Sequence, residues 1–245
     1  MKAWGAIILA TAAATALLSA GSMAQPARER PRPPVLAEPV VIELFTAQGC
    51  AGCPEANQVV ETLSTEPGVI ALTYPVDYWD YLGWTDTLAQ PEFTQRQRAY
   101  RQALRLRAVQ TPQVIIDGRR SASAAQETGL RQAISEEAVR TTWPPEIEFR
   151  ESGDQVGIGS GRAPAGGAEV VAVIYTPGAQ VVRVGEGDNR GKSVRHVNVV
   201  RRIAPLGDWT GVPALFALPQ PRAGDAVVVM VQARRDRRII SAAAR

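Results

Sequence analysis

The sequence predicts an α/β domain followed by a β-rich, sandwich-like domain. Between residues 39 and 143, short apolar runs alternate with segments of helical spacing, which is the order that builds parallel sheet. After Pro144 and Pro145 the pattern changes to short alternating segments, separated by glycine- or proline-bearing turns at intervals of roughly ten residues. That second pattern is typical of an antiparallel β-sandwich. We therefore expect one domain at 39–143 and another at 144–245.

The elements of the first domain follow from the spacing of its apolar residues. Branched residues predict buried strands, proline fits the first turn of a helix, and Pro67-Gly68 ends the first helix. An aromatic stretch and a helix whose arginines are expected to face water form an insertion at about 77–106. The predicted order is strand 40–45, helix 54–64, strand 69–76, helix 91–106, strand 114–116 and helix 124–139.

The second domain is predicted to consist of short strands. They are expected at 146–149, 155–158, 169–175, 181–184, 197–200, 215–218, 226–232 and 238–241. The glycine-rich stretch 185–193 ends like a phosphate-binding loop, but its first glycine would have to stand at Glu186. We interpret the stretch as a flexible turn. The single histidine, His196, is expected on a strand surface or in a hydrogen bond.

The N-terminus has the composition of an export signal. Lys2 supplies a positive charge, residues 6–18 are mostly apolar, and residues 22–24 (Ser-Met-Ala) are those that a signal peptidase favours. These features predict a signal peptide at 1–24 and a periplasmic or secreted protein. The alternative is a retained membrane anchor, because residues 3–25 carry no charge. Residues 25–38, rich in proline and arginine, are expected to form a disordered tether.

Charge and hydropathy argue against two classes of partner. The chain has 27 basic and 24 acidic residues, a net charge of +3, and its arginines are scattered. Nucleic-acid binding needs a concentrated basic face, and the nearest cluster, residues 234–238, is expected to be a solvated turn. No stretch after the leader is apolar and long enough to span a bilayer, so no stable membrane span is predicted after cleavage.

The two cysteines, Cys50 and Cys53, carry the strongest chemical signal. They stand where a strand is expected to end and a helix to begin, and a helix N-terminus favours the thiolate. A structural disulfide is the alternative, but a four-residue loop contributes only about 2 kcal/mol and joins no distant segments. A structural zinc site needs four ligands, which two thiols and His196 do not supply. We assign Cys50 as the nucleophile and Cys53 as the resolving thiol.

These residues together resemble a thioredoxin-like domain. The resemblance rests on the strand at 40–45, the Cys50–Cys53 motif, the helix after it, and Thr111-Pro112 before a strand. It implies that the Thr111–Pro112 peptide bond is cis. It also implies that the loop around this bond faces the disulfide and holds the backbone of a substrate.

A narrower resemblance covers roughly residues 38–235. Several spaced motifs resemble a bacterial family of secreted proteins that is catalogued only as a domain of unknown function. The family implies a thioredoxin-like domain with a β-rich C-terminal part, and it supplies no established substrate. The motifs are ELFTAQGCAGCP at 43–54, VDYWD at 76–80, RQRAY at 96–100 and TPQ at 111–113.

Glu43 and the aromatic stretch are further candidate site residues. Glu43 lies in an apolar strand, and burying a carboxylate is costly unless it is neutral or paired. Thioredoxins carry a buried acid near this point, so we expect Glu43 to move the proton of Cys53; the alternative is pairing with an arginine or a place at a strand edge.

Four aromatic residues form either an apolar wall for an extended substrate or the core of the insertion. They are Tyr78, Trp79, Tyr81 and Trp84.

The sequence therefore predicts an extracytoplasmic thiol–disulfide oxidoreductase. Cys50, Cys53 and Glu43 are its predicted catalytic residues, and Thr111 and Pro112 are expected to bind substrate. No cofactor or metal is predicted; protein thiols or disulfides are the expected substrates, and a partner redox protein exchanges the electrons.

Two alternatives use the same residues. One is a periplasmic Cu(I)-binding protein, since soft thiolates suit that ion. The other is a non-catalytic binding protein with an inert disulfide.

Overall fold

A computed structural model of the chain describes residues 38–139 and 144–245. The predicted signal peptide (1–24) and all of the predicted tether (25–38) except Glu38 lie outside the described residues. The described residues belong to one compact unit. Among them, no helix is both long and apolar enough to cross a membrane.

The N-terminal half, residues 38–139, contains three helices and four strands around the centrally placed strand β1. Strand β1 pairs in parallel with β2 and antiparallel with β3, and β3 forms a hairpin with β4. All seven residues of β1 are buried, as expected for a strand covered on both faces. In order, the elements are β1 (Val40–Thr46), α1 (Cys53–Leu63), β2 (Val69–Pro75), a 3-10 turn (Asp80–Leu82), α2 (Pro91–Ala103), β3 (Gln113–Ile116), β4 (Arg120–Ala122) and α3 (Glu127–Ala138).

The C-terminal half, residues 144–245, contains only strands among its described elements. Its largest part is a hairpin of two long strands, β7 and β8, whose ladder extends to the pair Arg183 and Ser193. The elements are β5 (Ile147–Phe149), β6 (Gln155–Ile158), β7 (Ala168–Arg183), β8 (Ser193–Trp209), β9 (Ala214–Ala217), β10 (Ala226–Ala233) and β11 (Ile239–Ala244).

The sequence predicts strands at 169–175 and 181–184, and both segments are in a strand. The prediction that they are separate is wrong, because both belong to the single strand β7. The residues between them, which include Pro177 and Gly178, form an irregularity in the β7–β8 ladder instead of a turn. Gly178 has a positive φ of 80°, a conformation that glycine adopts without steric cost. The extra residues are therefore absorbed as a bulge while pairing continues.

One mixed sheet of eight strands runs through both halves, in the order β11-β10-β7-β8-β2-β1-β3-β4. The halves meet where β2 and β8 run parallel, at the pair Thr73 and Val199. The side chain of Asn198 supports this junction, because its Nδ2 donates a hydrogen bond of 3.0 Å to the carbonyl of Ala71. A second sheet, β5-β6-β9, shares a hydrophobic cluster that includes Trp209 with strands of the large sheet.

Alternation along β1 divides the remaining core into two clusters. Val41 and Phe45 belong to a cluster with both cysteines and residues of α2, β10 and β11. Ile42 and Leu44 belong to a second cluster with residues of α1 and α3. His196 of β8 is also buried, with 0% of its surface exposed, and neither ring nitrogen has a hydrogen-bond partner among the described residues. Both predicted positions, on a strand surface or in a hydrogen bond, are therefore wrong. Burial lowers the pKa of His196 to about 4.

Candidate functional site

The two cysteines lie at the junction of β1 and α1. The turn between these elements is closed by backbone hydrogen bonds from Cys50 N–H to the carbonyl of Ala47 (3.3 Å) and from Cys53 N–H to the carbonyl of Cys50 (3.1 Å). The two sulfur atoms form a disulfide, and the Cα atoms are 5.4 Å apart. The cysteines thus stand at the end of a strand and the start of a helix, as the spacing of the apolar residues predicts.

The start of α1 provides an electrostatic environment that favours a thiolate. Gly52 precedes the helix and has no side chain to cap the first backbone N–H groups, and Pro54 occupies the first turn. Such N–H groups carry a partial positive charge, which stabilises a cysteine anion beside them.

Pro112 lies against the CxxC motif from the other side. The Thr111–Pro112 peptide bond is cis. A Cβ atom added to Gly52 would lie 3.6 Å from Cδ of Pro112, so the proline ring contacts the exposed turn of the motif. Thr111 is held in place by Trp79, whose Nε1 donates a hydrogen bond of 2.7 Å to the Thr111 hydroxyl. The structure therefore brings Pro112 beside Gly52 of the CxxC motif, with Thr111 next to it in the chain.

The disulfide itself is buried. Cys50 is 2% exposed and Cys53 is 0% exposed, whereas Ala51 and Gly52 between them are exposed. Both cysteines belong to the same hydrophobic cluster as Phe45. The backbone of the motif is therefore at the surface while its sulfur atoms are covered.

Residues 184–192, which we call the hairpin tip, contact the turn that carries Cys50. They connect β7 to β8, and a Cβ atom added to Gly187 would lie 3.7 Å from Cα of Gly49. The fully buried side chain of Asn189 donates hydrogen bonds to the carbonyls of Gln48 (2.9 Å) and Cys50 (2.7 Å). The turn predicted at 185–193 is present, and at Asn189 it is packed against the CxxC motif.

Gln48 connects the same turn to the insertion between β2 and α2. Its Oε1 accepts a hydrogen bond from Nε1 of Trp84 (2.7 Å), and its Nε2 donates one to the hydroxyl of Thr87 (3.2 Å). Its backbone N–H donates to Oδ2 of Asp86 at 2.7 Å. Burial raises the pKa of Asp86, and the backbone hydrogen bonds that this carboxylate accepts oppose the shift.

The aromatic residues of the insertion lie in two different environments. Trp79 and Trp84 support the site through their indole N–H groups, which bind Thr111 and Gln48. Tyr81 is 78% exposed and stacks on Trp79, with ring centroids 6.5 Å apart. The insertion therefore supports the CxxC turn and also presents an exposed aromatic ring near the cis-proline loop.

Glu43 is buried and paired with an arginine. Its carboxylate accepts hydrogen bonds from Nε (2.7 Å) and Nη2 (3.1 Å) of Arg96, and a further one from the hydroxyl of Tyr100. These groups are its partners, and neither cysteine is among them. Burial alone would lower the pKa of Arg96, but the adjacent Glu43 charge raises it well above its ordinary value. The pairing with an arginine, which the sequence left open as the alternative role of Glu43, is the one in the structure.

Arg96 and its neighbours also correct the prediction for α2. Arg96 is 5% exposed, so this arginine does not face water. Its Nη1 lies 3.3 Å from Oε1 of Gln232 in β10, and Nε2 of Gln232 donates to the hydroxyl of Tyr100 at 2.9 Å. We call Glu43, Arg96, Tyr100 and Gln232 the ionic cluster. It joins β1, α2 and β10 in the interior.

The described residues 38–139 and 144–245 contain no group of three or more histidine, cysteine, aspartate or glutamate side chains placed to hold a metal ion. The alternative of Cu(I) binding therefore rests on the two thiols alone.

These features define a mixed α/β protein with a CxxC disulfide at the start of a helix and a cis-proline beside it. The chain belongs to the family described as "Protein of unknown function (DUF1223)", which matches residues 41–232. The narrower family resemblance seen in the sequence is thereby confirmed as membership of a family of unknown function.

Two solved structures are similar to the chain. The first is an X-ray crystal structure of a protein from Agrobacterium tumefaciens, with 32% sequence identity and a TM-score of 0.69; the match covers 84% of this chain and 92% of that protein. The second is HBP35 of Porphyromonas gingivalis, with 14% identity and a TM-score of 0.60; the match covers 85% of this chain and 75% of the other. At that identity the second likeness concerns the fold alone. No curated protein matches the sequence.

Proposed function

We propose that this chain is an extracytoplasmic thiol–disulfide oxidoreductase of the thioredoxin-like class. The observation that carries the proposal is the Cys50–Cys53 disulfide at the start of α1, with Pro112 in contact with Gly52. The sheet supports the class, because β1 leads into the motif and lies between a parallel and an antiparallel neighbour. The extracytoplasmic location rests on the signal peptide predicted from residues 1–24.

The proposed reaction exchanges one disulfide for another. In the reduced protein, the Cys50 thiolate attacks a sulfur of a substrate disulfide, forms a mixed disulfide and releases one substrate thiolate. Cys53, after loss of its proton to solvent, attacks Sγ of Cys50, and the second substrate sulfur leaves as a thiolate that takes up a proton. The substrate gains two electrons, and the Cys50–Cys53 bond forms. A partner redox protein must return two electrons, and the reverse sequence would oxidise a substrate dithiol.

Thr111 and Pro112 are proposed to hold the substrate backbone beside Cys50. Glu43 is left out of the proposed chemistry. Its carboxylate is engaged by Arg96 and Tyr100, and a carboxylate held by a charged partner is a poor acceptor for the proton of Cys53. The proton of Cys53 is therefore assigned to solvent in the opened site.

The burial of Cys50 favours a second candidate, a binding protein whose disulfide is inert. Structural disulfides of secreted proteins typically have reduction potentials below about −300 mV, whereas exchange catalysts lie between about −270 and −120 mV. The potential of the Cys50–Cys53 couple therefore separates the two candidates. We expect a value above about −300 mV.

The direct test is reduction of insulin by dithiothreitol with and without the protein. The wild type is expected to accelerate the precipitation of insulin, and Cys50→Ser is expected to abolish the acceleration. Cys53→Ser should instead accumulate a mixed disulfide through Cys50, visible by non-reducing electrophoresis and mass spectrometry. A folded wild-type protein that gives no acceleration, combined with a potential below about −300 mV, would favour the inert disulfide.

A further inference from the structure

The burial of the disulfide poses a physical problem for any exchange reaction. A thiolate must reach one of the two sulfur atoms, so the rate of exchange depends on access. Cys50 and Cys53 are almost fully buried, although the residues between them are exposed. Some part of the structure must therefore move before another molecule can react with the disulfide.

The hairpin tip is bound to the backbone of the CxxC turn, and it is the segment beside that turn best suited to move. Its own backbone hydrogen bonds close it into a compact turn, including Gly191 N–H to the carbonyl of Val184 at 2.8 Å and Arg190 N–H to the carbonyl of Gly187 at 3.1 Å. Six of its nine residues are exposed, and Val184, where the ladder ends, is its one buried apolar residue. Displacing the tip as a unit would expose little apolar surface of its own, and it would uncover the ring of Trp84, on which Gly185 packs.

Asn189 is the principal polar contact between the tip and the CxxC turn. Its Nδ2 donates to two carbonyls, those of Gln48 and Cys50, while its Oδ1 accepts from Nζ of Lys192 within the tip. These bonds involve no charged partner on the CxxC side, so each is expected to contribute the modest net free energy of a neutral hydrogen bond. The contact is specific in geometry and limited in strength.

We propose that Asn189 controls access to the Cys50–Cys53 disulfide, and that release of its two hydrogen bonds opens the site to an extended polypeptide. This inference rests on the proposed function. Opening leaves one acceptor position vacant on each of the carbonyls of Gln48 and Cys50, and these positions then accept hydrogen bonds from backbone N–H groups of the incoming chain; the Cys50 carbonyl keeps its bond from Cys53 N–H. The substrate class is therefore a polypeptide segment whose cysteine is flanked by unhindered backbone amides.

The first test measures access without requiring catalysis. The oxidised protein is treated with tris(2-carboxyethyl)phosphine, which donates two electrons to the disulfide and becomes the phosphine oxide, and free thiols are trapped with a maleimide over time. Asn189→Ala removes both hydrogen bonds and should accelerate reduction about 30-fold, about fivefold for each bond. Asp188→Ala, at an exposed neighbouring residue of the same tip, is the matched control and should stay within about twofold of the wild type.

A second variant protects the test from one that fails to fold. Asn189→Asp keeps the size of the side chain and replaces its donating Nδ2 with an oxygen, so it should also accelerate reduction. An acceleration below about threefold in folded Asn189→Ala, or an equal acceleration in Asp188→Ala, would overturn the inference. If Asn189→Ala misfolds, an acceleration below about threefold in Asn189→Asp would overturn it in the same way.

The second test concerns the substrate class. A reduced cysteine peptide is compared with the same peptide N-methylated at the amides that flank the cysteine, which removes the hydrogen-bond donors. The unmodified peptide should reduce the Asn189→Ala disulfide at least fivefold faster, and equal rates would refute the polypeptide assignment. Loss of insulin reduction with a retained Asn189→Ala acceleration would refute the proposed function alone, because access would still be controlled by Asn189.

Discussion

Two contacts between the N-terminal and C-terminal halves differ in their chemistry. At the ionic cluster, Glu43 and Arg96 form an ion pair with 0% and 4% of their side chains exposed, and Gln232 of the C-terminal half completes the hydrogen bonding. At the hairpin tip, Asn189 makes two neutral hydrogen bonds, and most of the surrounding residues are exposed. One contact is charged and enclosed, whereas the other is neutral and lies near solvent.

The difference shows how one sheet can combine a permanent connection with a reversible one. Removing one member of a buried ion pair leaves an uncompensated charge and costs about 3–5 kcal/mol, whereas a neutral hydrogen bond contributes about 1 kcal/mol. The ionic cluster should therefore stay closed in every folded molecule. The hairpin tip should open at a much smaller free-energy cost, without unfolding the sheet.

The largest effect is expected from breaking the ionic cluster. Glu43→Gln leaves the Arg96 guanidinium buried without its anionic partner and should lower the free energy of unfolding by about 4 kcal/mol, measured by urea denaturation. The double variant Glu43→Leu with Arg96→Met removes both charges and should recover more than half of that loss. A loss below about 1 kcal/mol in Glu43→Gln would show that the cluster is no stronger than the tip.

A second effect, a dependence of stability on pH, should come from His196 in strand β8. This strand follows the hairpin tip and pairs with β2 where the two halves meet. Burial lowers the pKa of His196 to about 4, whereas its ordinary value is 6.5. Between these two pH values the folded protein holds His196 neutral, while the unfolded chain binds a proton there. The free energy of unfolding should therefore fall as pH is lowered from 7 to 4, with about 3 kcal/mol due to His196.

The variant His196→Leu isolates this contribution, because the carboxylates that titrate in the same range are present in both proteins. Its free energy of unfolding should depend less steeply on pH, and the two curves should diverge most between pH 4 and 6.5. Parallel curves from urea denaturation at pH 7, 6, 5 and 4 would contradict the assignment.

The disulfide should contribute less to stability than the ionic cluster, and less than the pH-dependent contribution of His196. The disulfide closes a loop of only four residues. Replacing both cysteines with alanine (Cys50→Ala together with Cys53→Ala) should therefore lower the free energy of unfolding by about 2 kcal/mol, measured by urea denaturation. The wild type reduced with dithiothreitol serves as the control and should show a similar loss. A cost above about 4 kcal/mol would mean that the disulfide holds the halves together, as the ionic cluster is expected to do.

The smallest effect is expected at an exposed ion pair. Nη1 of Arg150 lies 3.4 Å from Oε1 of Glu148 in the small sheet, with 48% and 65% of the side chains exposed. Glu148→Gln should change the free energy of unfolding by less than about 0.5 kcal/mol, and salt should reduce even that change. A larger change would show that exposure does not account for the contrast between the tip and the ionic cluster.

Local pattern was sufficient to predict strand β1, helix α1 and the position of the cysteines between them. Strand β1 and helix α1 begin or end within a residue or two of the prediction, because apolar periodicity and Pro54 are local signals. The approach of Pro112 to the motif followed from the resemblance. The small strand β4 was missed, because its three residues, Arg120–Ala122, have no apolar alternation.

The residues that complete the site depend on distant partners, which spacing does not reveal. Asn189 stands 139 residues from Cys50, and an asparagine among glycines and charges has the same local pattern whether its turn is free or packed. Arg96 offered a usable signal, because it stands four residues before Tyr100 on the side of α2 that also carries Phe93. An arginine on an apolar helix face near a strand that contains a glutamate indicates a buried ion pair.

The continuous sheet has a consequence for recombinant fragments of this chain: we expect that a soluble piece must contain both halves. Strand β2 has β1 on one side and β8 on the other, and it pairs with β8 only where residue 73 meets residue 199. A recombinant fragment ending near residue 139 would leave the outer margin of β2, rich in apolar side chains, without a neighbour. Unpaired strands of that kind recruit one another into aggregates. Expression of the CxxC motif therefore requires the strands that follow residue 144.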